Sequence, residues 1–218
     1  MLGLAVVRMR PSSFLPNFIV FEGIDGSGTT TQLKLLSNRL SQQGVPYLAT
    51  FEPTDGAIGQ LIRQVLQHKL RLQPISLAYL FAADRNEHLY HPTKGILVEL
   101  AKGKLVICDR YLFSSLAYQA LTTDLDLLKK LNSDFPLPQL VFYLDTPAAV
   151  CFERLKDRQR LELFEDLTLQ EQVAQNYHQL WANWQGRLEV IQLDGSKPPE
   201  EISQQIWKRI AELPILKK

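Results

Sequence analysis

The amino-acid sequence predicts an α/β protein of three layers, in which helices cover both faces of a five-stranded parallel sheet. Two observations support this class. Short apolar runs rich in branched and aromatic residues, typical of buried strands, recur along the chain. Longer segments with helical periodicity separate them, and this alternation is typical of a parallel sheet buried on both faces. Ligands of such sheets bind at the carboxyl ends of the strands.

The first half of the chain contributes two predicted strands and four predicted helices. Leu33, Leu36 and Leu40 fall on one face of the first helix, and Gly44 suits its end. Pro74 suits the start of the third helix. The expected elements are a strand at 18–22, a helix at 29–44, a strand at 45–50, and helices at 57–70, 75–90 and 92–103.

The second half contributes three more strands, of which the first two end in an aspartate. The expected elements are strands at 104–109 and 139–145, helices at 147–158 and 167–184, a strand at 187–194 and a helix at 198–213. No repeat or low-complexity linker interrupts them. We therefore expect residues 1–16 to form an N-terminal extension and residues 17–218 to form a single domain.

Composition narrows the function classes. The chain has 218 residues, a formal net charge of +1, 45% hydrophobic residues and 22% charged residues. This charge gives no reason to expect a nucleic acid or a membrane as a partner. The apolar runs are too short to span a bilayer, so a cytoplasmic protein is expected. Cys108 and Cys151 lie in apolar runs and are expected to be buried free thiols.

A glycine-rich segment between the first strand and the first helix predicts a phosphate-binding loop. In the pattern G-x-x-x-x-G-K-[ST], Gly23, Gly28 and Thr30 match, whereas Thr29 replaces the lysine. Backbone N–H groups of such a loop and the helix N-terminus bind anions, although a plain glycine-rich turn is the alternative. The predicted ATP-binding residues are Gly23, Ile24, Asp25, Gly26, Ser27, Gly28, Thr29, Thr30 and Thr31.

Further polar residues near strand ends suggest the rest of a nucleotide site. Thr30 and Asp109 are candidate Mg²⁺ ligands, and Arg110 is a candidate phosphate contact, unless Asp109 and Arg110 form a surface ion pair. Phe81 and Arg85 are four residues apart on a predicted helix and therefore share a face. They could stack on a base and bind its edge, or could be a core phenylalanine beside an arginine that reaches solvent.

These motifs together resemble the thymidylate kinase family of the nucleoside monophosphate kinase superfamily. The resemblance covers residues 17–213, and the segments that carry it, in order, are "FIVFEGIDGSGTTTQ", "AYLFAADRNEHL", "VICDRYLFSSLAYQ", "LVFYLD" and "DGSKPPEEI". It implies a P-loop NTPase-type fold and transfer of a phosphoryl group from ATP to dTMP with Mg²⁺. It also implies a homodimer.

The resemblance also implies roles for individual residues. On the acceptor side these are Asp25 for the sugar 3′-hydroxyl, Phe81 and Arg85 for the thymine ring and its edge, Arg110 for the acceptor phosphate, Ser114 and Gln119 for base-side contacts, and Tyr118 for exclusion of a 2′-hydroxyl. A loop at 194–196 is expected beside adenine, and a mobile lid at about 154–165. The expected catalytic arginines are Arg110, Arg154, Arg158 and Arg160.

Three departures from the family pattern remove positive charge. Thr29 replaces the loop lysine, Phe51 replaces an arginine near the acceptor phosphate, and Leu163 replaces a lid arginine. Because charge stabilisation dominates phosphoryl transfer, these losses leave three hypotheses open. The chain is an active thymidylate kinase that uses its lid arginines, a nucleotide-binding protein with little turnover, or a kinase for another nucleoside monophosphate.

Overall fold

The computed structural model of the chain describes residues 14–156 and 166–217. Its centre is a five-stranded parallel sheet in the order β2-β3-β1-β4-β5, which confirms the predicted fold class. The strands are β1 (Phe14–Gly23), β2 (Tyr47–Phe51), β3 (Leu105–Asp109), β4 (Leu137–Asp145) and β5 (Val190–Asp194). Because β1 begins at Phe14, the boundary expected after residue 16 lies inside this strand.

Nine α-helices surround the sheet within the described residues. They are α1 (Thr29–Gln42), α2 (Ala57–Leu66), α3 (Pro74–Tyr90), α4 (Ile96–Ala101), α5 (Leu112–Tyr118), α6 (Leu125–Asn132), α7 (Ala148–Leu155), α8 (Leu167–Trp184) and α9 (Pro199–Ile210). Helices α5 and α6 were not predicted. Helix α5 is short and buried on almost every side, so it lacks the polar face that makes a helix recognisable.

Side chains of β1 alternate between two hydrophobic layers, as a strand buried on both faces requires. Phe18 and Val20 belong to the larger layer, which includes buried residues of α5 and α8. Ile19 and Phe21 belong to the other layer, beneath α1 and α9. Cys108 and Cys151 are free and buried, as predicted.

The register of the strands gathers polar residues at one edge of the sheet. Phe21 of β1 lies opposite Asp109 of β3, so the loop after β1 and the turn after β3 leave the sheet side by side. Phe51, at the end of β2, also lies opposite Asp109. The candidate site is built at this edge.

No helix among the described residues has both the length and the apolar character needed to cross a membrane.

Candidate active site

The loop after β1 has the backbone geometry of an anion site. Gly26 has a φ of 84° and Gly28 a φ of 105°, a region that side chains disfavour. A Cβ atom on Gly26 would also lie 2.7 Å from the carbonyl oxygen of Cys151, so only glycine fits there. Helix α1 begins at Thr29, directly after the loop, so its unpaired N–H groups point toward this space.

Thr30 and Asp109 lie together beside this loop. Thr30 Oγ1 donates a hydrogen bond of 2.6 Å to Asp109 Oδ2. The second carboxylate oxygen of Asp109, Oδ1, is buried and has no hydrogen-bond partner among residues 14–156 and 166–217. A hydroxyl and a free carboxylate oxygen suit Mg²⁺, which takes its other ligands from phosphates and water. The two residues therefore fit the predicted metal.

A cavity of about 120 Å³ lies next to the loop, below α3 and α5. All seven residues predicted for the acceptor line it: Asp25, Phe81, Arg85, Arg110, Ser114, Tyr118 and Gln119. They come from the loop, from α3 and from the segment 110–119, which are distant in sequence. Gln119 also brings an amide nitrogen, Nε2, that is buried without a partner in the described part of the chain.

Arg85 is almost fully buried and is held by three side chains. Its Nε donates to Glu52 Oε2 at 2.9 Å, its Nη1 donates to Asn132 Oδ1 at 2.5 Å, and its Nη2 donates to Ser115 Oγ at 3.2 Å. Glu52 also contacts His88. A buried guanidinium needs such partners to offset the loss of water. Their arrangement fixes the direction in which Arg85 faces the cavity.

Arg110 is held at the mouth of the same cavity. Its φ of 70° is unusual for a residue with a side chain, and its backbone N–H donates to Phe21 O at 2.8 Å. The guanidinium donates to Gly23 O at 2.8 Å, to Ser114 Oγ at 3.2 Å and to Asp25 Oδ1 at 2.5 Å. It also lies 5.1 Å from the centre of the Tyr118 ring.

A second cavity, of about 410 Å³, lies over the glycine loop and reaches the loop after β5. Asp25 and Arg110 line both cavities, so they lie where ligands bound in the two cavities would meet. A phosphate-binding loop opposite a base-sized cavity is the arrangement that a nucleotide kinase requires. The family model for thymidylate kinase matches residues 21–206 of this sequence. The chain belongs to the thymidylate kinase family.

Curated relatives support this membership across most of the chain. A protein of Treponema pallidum with a provisional thymidylate kinase name is 42% identical, over 94% of this chain and all of its own length. A similarly named protein of Pyrococcus abyssi is 48% identical over 75% of this chain and 82% of its own length. The thymidylate kinase of Leptospira borgpetersenii is 37% identical over 87% of this chain and 91% of its own length.

Compared with the P-loop pattern, the described residues of this member of the thymidylate kinase family provide little unpaired positive charge around the loop. Thr29 is buried at the start of α1. Arg154 donates to Gly26 O, Ser27 O and Gly195 O at 3.0–3.3 Å. Lys197, at the far side of the cavity, pairs with Glu201. Each basic side chain that lines this cavity in the described part of the chain therefore already has a protein partner.

Phe51, the second departure, is not among the residues that line the acceptor cavity. Its ring is partly exposed and lies 5.4 Å from the guanidinium carbon of Arg63. Arg63 itself donates to the carbonyl oxygens of Pro53 and Thr54. The segment after β2 is therefore anchored by this arginine.

The remaining predicted residues concern the lid. Arg158, Arg160 and Leu163 lie outside the described residues, and so does most of the lid expected at about 154–165. Their roles stay predictions.

Several polar residues near the site were not predicted from the sequence, among them Gln170 and Glu22. Gln170 is fully buried at the start of α8, and its Nε2 donates to Asp25 Oδ2 at 3.3 Å. Glu22, the last residue before the loop, is fully buried and burial raises its pKa to about 7. A carboxylate that ends an apolar run, "FIVFE", was the available signal for Glu22.

Proposed function

We propose that this chain transfers the γ-phosphoryl group of ATP to dTMP, giving ADP and dTDP, with Mg²⁺ bound to the phosphates. One observation carries the proposal: the seven residues expected around the acceptor line one cavity, and that cavity meets the glycine loop at Asp25 and Arg110. The names of the curated relatives agree with dTMP as the acceptor.

On the acceptor side, we assign the thymine ring to Phe81 and its edge to Arg85 and Gln119. The buried, unpaired Nε2 of Gln119 is a donor without a partner in the described residues, and a base carbonyl would satisfy it. Tyr118 is assigned to exclude a 2′-hydroxyl, and Asp25 to accept a hydrogen bond from the sugar 3′-hydroxyl.

On the donor side, we assign the phosphates of ATP to the N–H groups of the loop and of α1. Thr30 and Asp109 would hold Mg²⁺, which supplies positive charge to the phosphates when it is bound. Arg110 would orient the acceptor phosphate for attack on the γ-phosphorus. The acceptor is already an anion, so the reaction requires no general base.

A second candidate is a nucleotide-binding protein with little turnover, which the neutral Thr29 and the engaged Arg154 favour. A third is a kinase for another monophosphate. ADP release measured with dTMP, dUMP, UMP and no acceptor separates the three. We expect kcat/KM to fall in the order dTMP, dUMP, UMP, and Tyr118→Ala to narrow the gap between dUMP and UMP. Equal use of UMP and dTMP would exclude the thymidylate assignment.

We further propose a cytoplasmic homodimer that binds neither nucleic acid nor membranes. Exposed apolar residues include Leu72, just before α3, and Ile75 and Tyr79, which share one face of α3. A second copy of the chain would cover them. Sedimentation velocity should give a dimer for the wild type and a monomer for Tyr79→Asp, and a monomeric wild type would contradict this assignment.

A further inference from the structure

Glu22, Ser114 and Tyr177 form a ring of three oxygen atoms beneath the acceptor cavity. Glu22 Oε2 lies 2.6 Å from Ser114 Oγ and 2.7 Å from Tyr177 Oη. Ser114 Oγ and Tyr177 Oη lie 2.9 Å from each other. All three distances are those of O–H···O hydrogen bonds. The other oxygen of Glu22, Oε1, accepts from the backbone N–H groups of Tyr111 and Ser114.

Three hydrogen bonds between three oxygens require three protons. The hydroxyls of Ser114 and Tyr177 supply only two of them, and Arg110 Nη1, which donates to Ser114 Oγ, is not a member of the ring. If Glu22 were ionised, both hydroxyls would donate to Oε2. No hydrogen would then lie between Ser114 Oγ and Tyr177 Oη, although these atoms are 2.9 Å apart. A proton on Glu22 completes the ring, because each oxygen then donates once and accepts once.

The ring supports the turn that carries Arg110. Glu22 accepts from the N–H groups one and four residues after the left-handed backbone at Arg110, and Ser114 links the carboxyl group to the guanidinium. The position of Arg110 at the mouth of the cavity therefore depends on a carboxyl group that does not touch the cavity itself.

We propose that Glu22 is a positioning residue of the acceptor site, which keeps its proton when the acceptor phosphate binds and fixes Arg110 through Ser114 and Tyr177. The proposal rests on the proposed function for the identity of the acceptor. Near Arg110, Asp25 already contributes one negative charge, and a phosphate monoester adds between one and two more. An ionised Glu22 would repel that phosphate, so acceptor binding and a neutral Glu22 favour each other.

The groups that face Glu22 are consistent with a neutral carboxyl. They come from β3, from the turn after it, from β4 and from α8, and they are Cys108, Arg110, Tyr111, Tyr143 and Tyr177. Arg110 is the cation among them. Its guanidinium also pairs with Asp25. Because the effect of burial outweighs the attraction of Arg110, the pKa of Glu22 is raised to about 7.

The first experiment does not depend on turnover. Infrared difference spectra of the wild type minus Glu22→Gln, recorded at pH 6 without nucleotide, should contain the C=O band of a protonated carboxyl group. The band should disappear as the pH rises to about 8 and should persist to higher pH with dTMP bound. Glu99→Gln is the matched control, because Glu99 is also buried but Lys102 and Lys104 lower its pKa. Its difference spectrum should lack the band.

The second experiment separates positioning from a structural role. In the wild type, the KM for dTMP should rise roughly tenfold between pH 6 and 8, because one pH unit above its pKa leaves about a tenth of Glu22 protonated. In Glu22→Gln, whose amide is neutral at every pH tested, the KM should lack this rise. The ionisation of dTMP itself is common to both proteins and cancels in the comparison. Tyr177→Phe, which opens the ring, should raise the KM at pH 6 by roughly three- to tenfold with a smaller effect on kcat.

These outcomes decide the proposal. A protein without turnover would refute the proposed function, and the infrared band would still test Glu22. Absence of the band at pH 6, or an unchanged pH dependence of the KM in Glu22→Gln, would overturn the positioning role.

Discussion

The two cavities of the site are built in different ways: the acceptor cavity, of about 120 Å³, and the donor cavity, of about 410 Å³ over the glycine loop. Around the acceptor, Arg85 and Arg110 are inside the protein, and each is held in one direction by at least two side chains. Around the donor, the described residues offer mainly backbone N–H groups, a neutral Thr29, and an exposed Arg154 bound to three carbonyl oxygens. Among the described residues, the acceptor side is therefore preorganised, whereas Arg154 could stabilise charge at the donor only by exchanging its partners.

Among variants that test this comparison, we expect the largest effect on stability, from a substitution on the acceptor side. Arg85→Met leaves the Glu52 carboxylate buried beside His88 without its main partner, and such a loss costs about 3–5 kcal/mol. Urea denaturation measures this free energy. The double variant Arg85→Met/Glu52→Gln removes the unpaired charge and should recover part of the loss. A double variant no more stable than the single one would contradict this account.

The next effect is a pH dependence of stability that is specific to the acceptor side. The pKa of Glu22 is about 7 in the folded protein against an ordinary value of 4.5, so the folded state binds more protons between these values. Unfolding free energy should therefore fall as the pH rises from 4.5 to 7, by about 3 kcal/mol. Denaturation of the wild type and Glu22→Gln at pH 5 and 7.5 measures it. Parallel losses in the two proteins would exclude Glu22 as the source.

Arg110 offers a third test, because activity should depend on its side chain, whereas stability should also depend on its backbone conformation. If Arg110 contacts the acceptor phosphate as proposed, this charge-assisted contact is worth about 1.5–3 kcal/mol, and Arg110→Ala should lower kcat/KM for dTMP about ten- to a hundredfold. Arg110→Gly should lose as much activity and yet unfold at a higher temperature than Arg110→Ala, because glycine tolerates the φ of 70°. Arg209→Ala, at an exposed ion pair with Glu189, serves as the control. A change of less than twofold in Arg110→Ala would place the phosphate elsewhere.

The smallest expected effect lies on the donor side. If lid arginines compensate for Thr29, Arg158→Ala should lower kcat by at least about tenfold, or roughly 1.4 kcal/mol of barrier, with less effect on the KM for dTMP. Thr29→Lys should be tolerated and should weaken the dependence on Arg158, which a double-mutant cycle measures. An active wild type in which alanine at Arg154, Arg158 and Arg160 has no effect would disprove the compensation.

The sequence predicted the sheet because each strand is a short apolar run. The residues that it suggested for the acceptor lie in motifs, and they line one cavity. It did not predict α5, since a short helix buried on most sides has no polar face to reveal it. It also missed α6, whose eight residues make only about two turns. Glu52 and Asn132 were missed for a different reason. Their contacts with Arg85 join residues 33 and 47 positions apart, and only tertiary packing makes such a pair.

The Asp25–Arg110 pair, which lines both cavities, has a thermodynamic consequence. Two ligands that contact the same ion pair do not bind independently. If bound ATP changes the affinity for dTMP by some factor, bound dTMP must change the affinity for ATP by the same factor. If the products contact the pair as well, the affinity for ADP should depend in the same way on whether dTDP is bound.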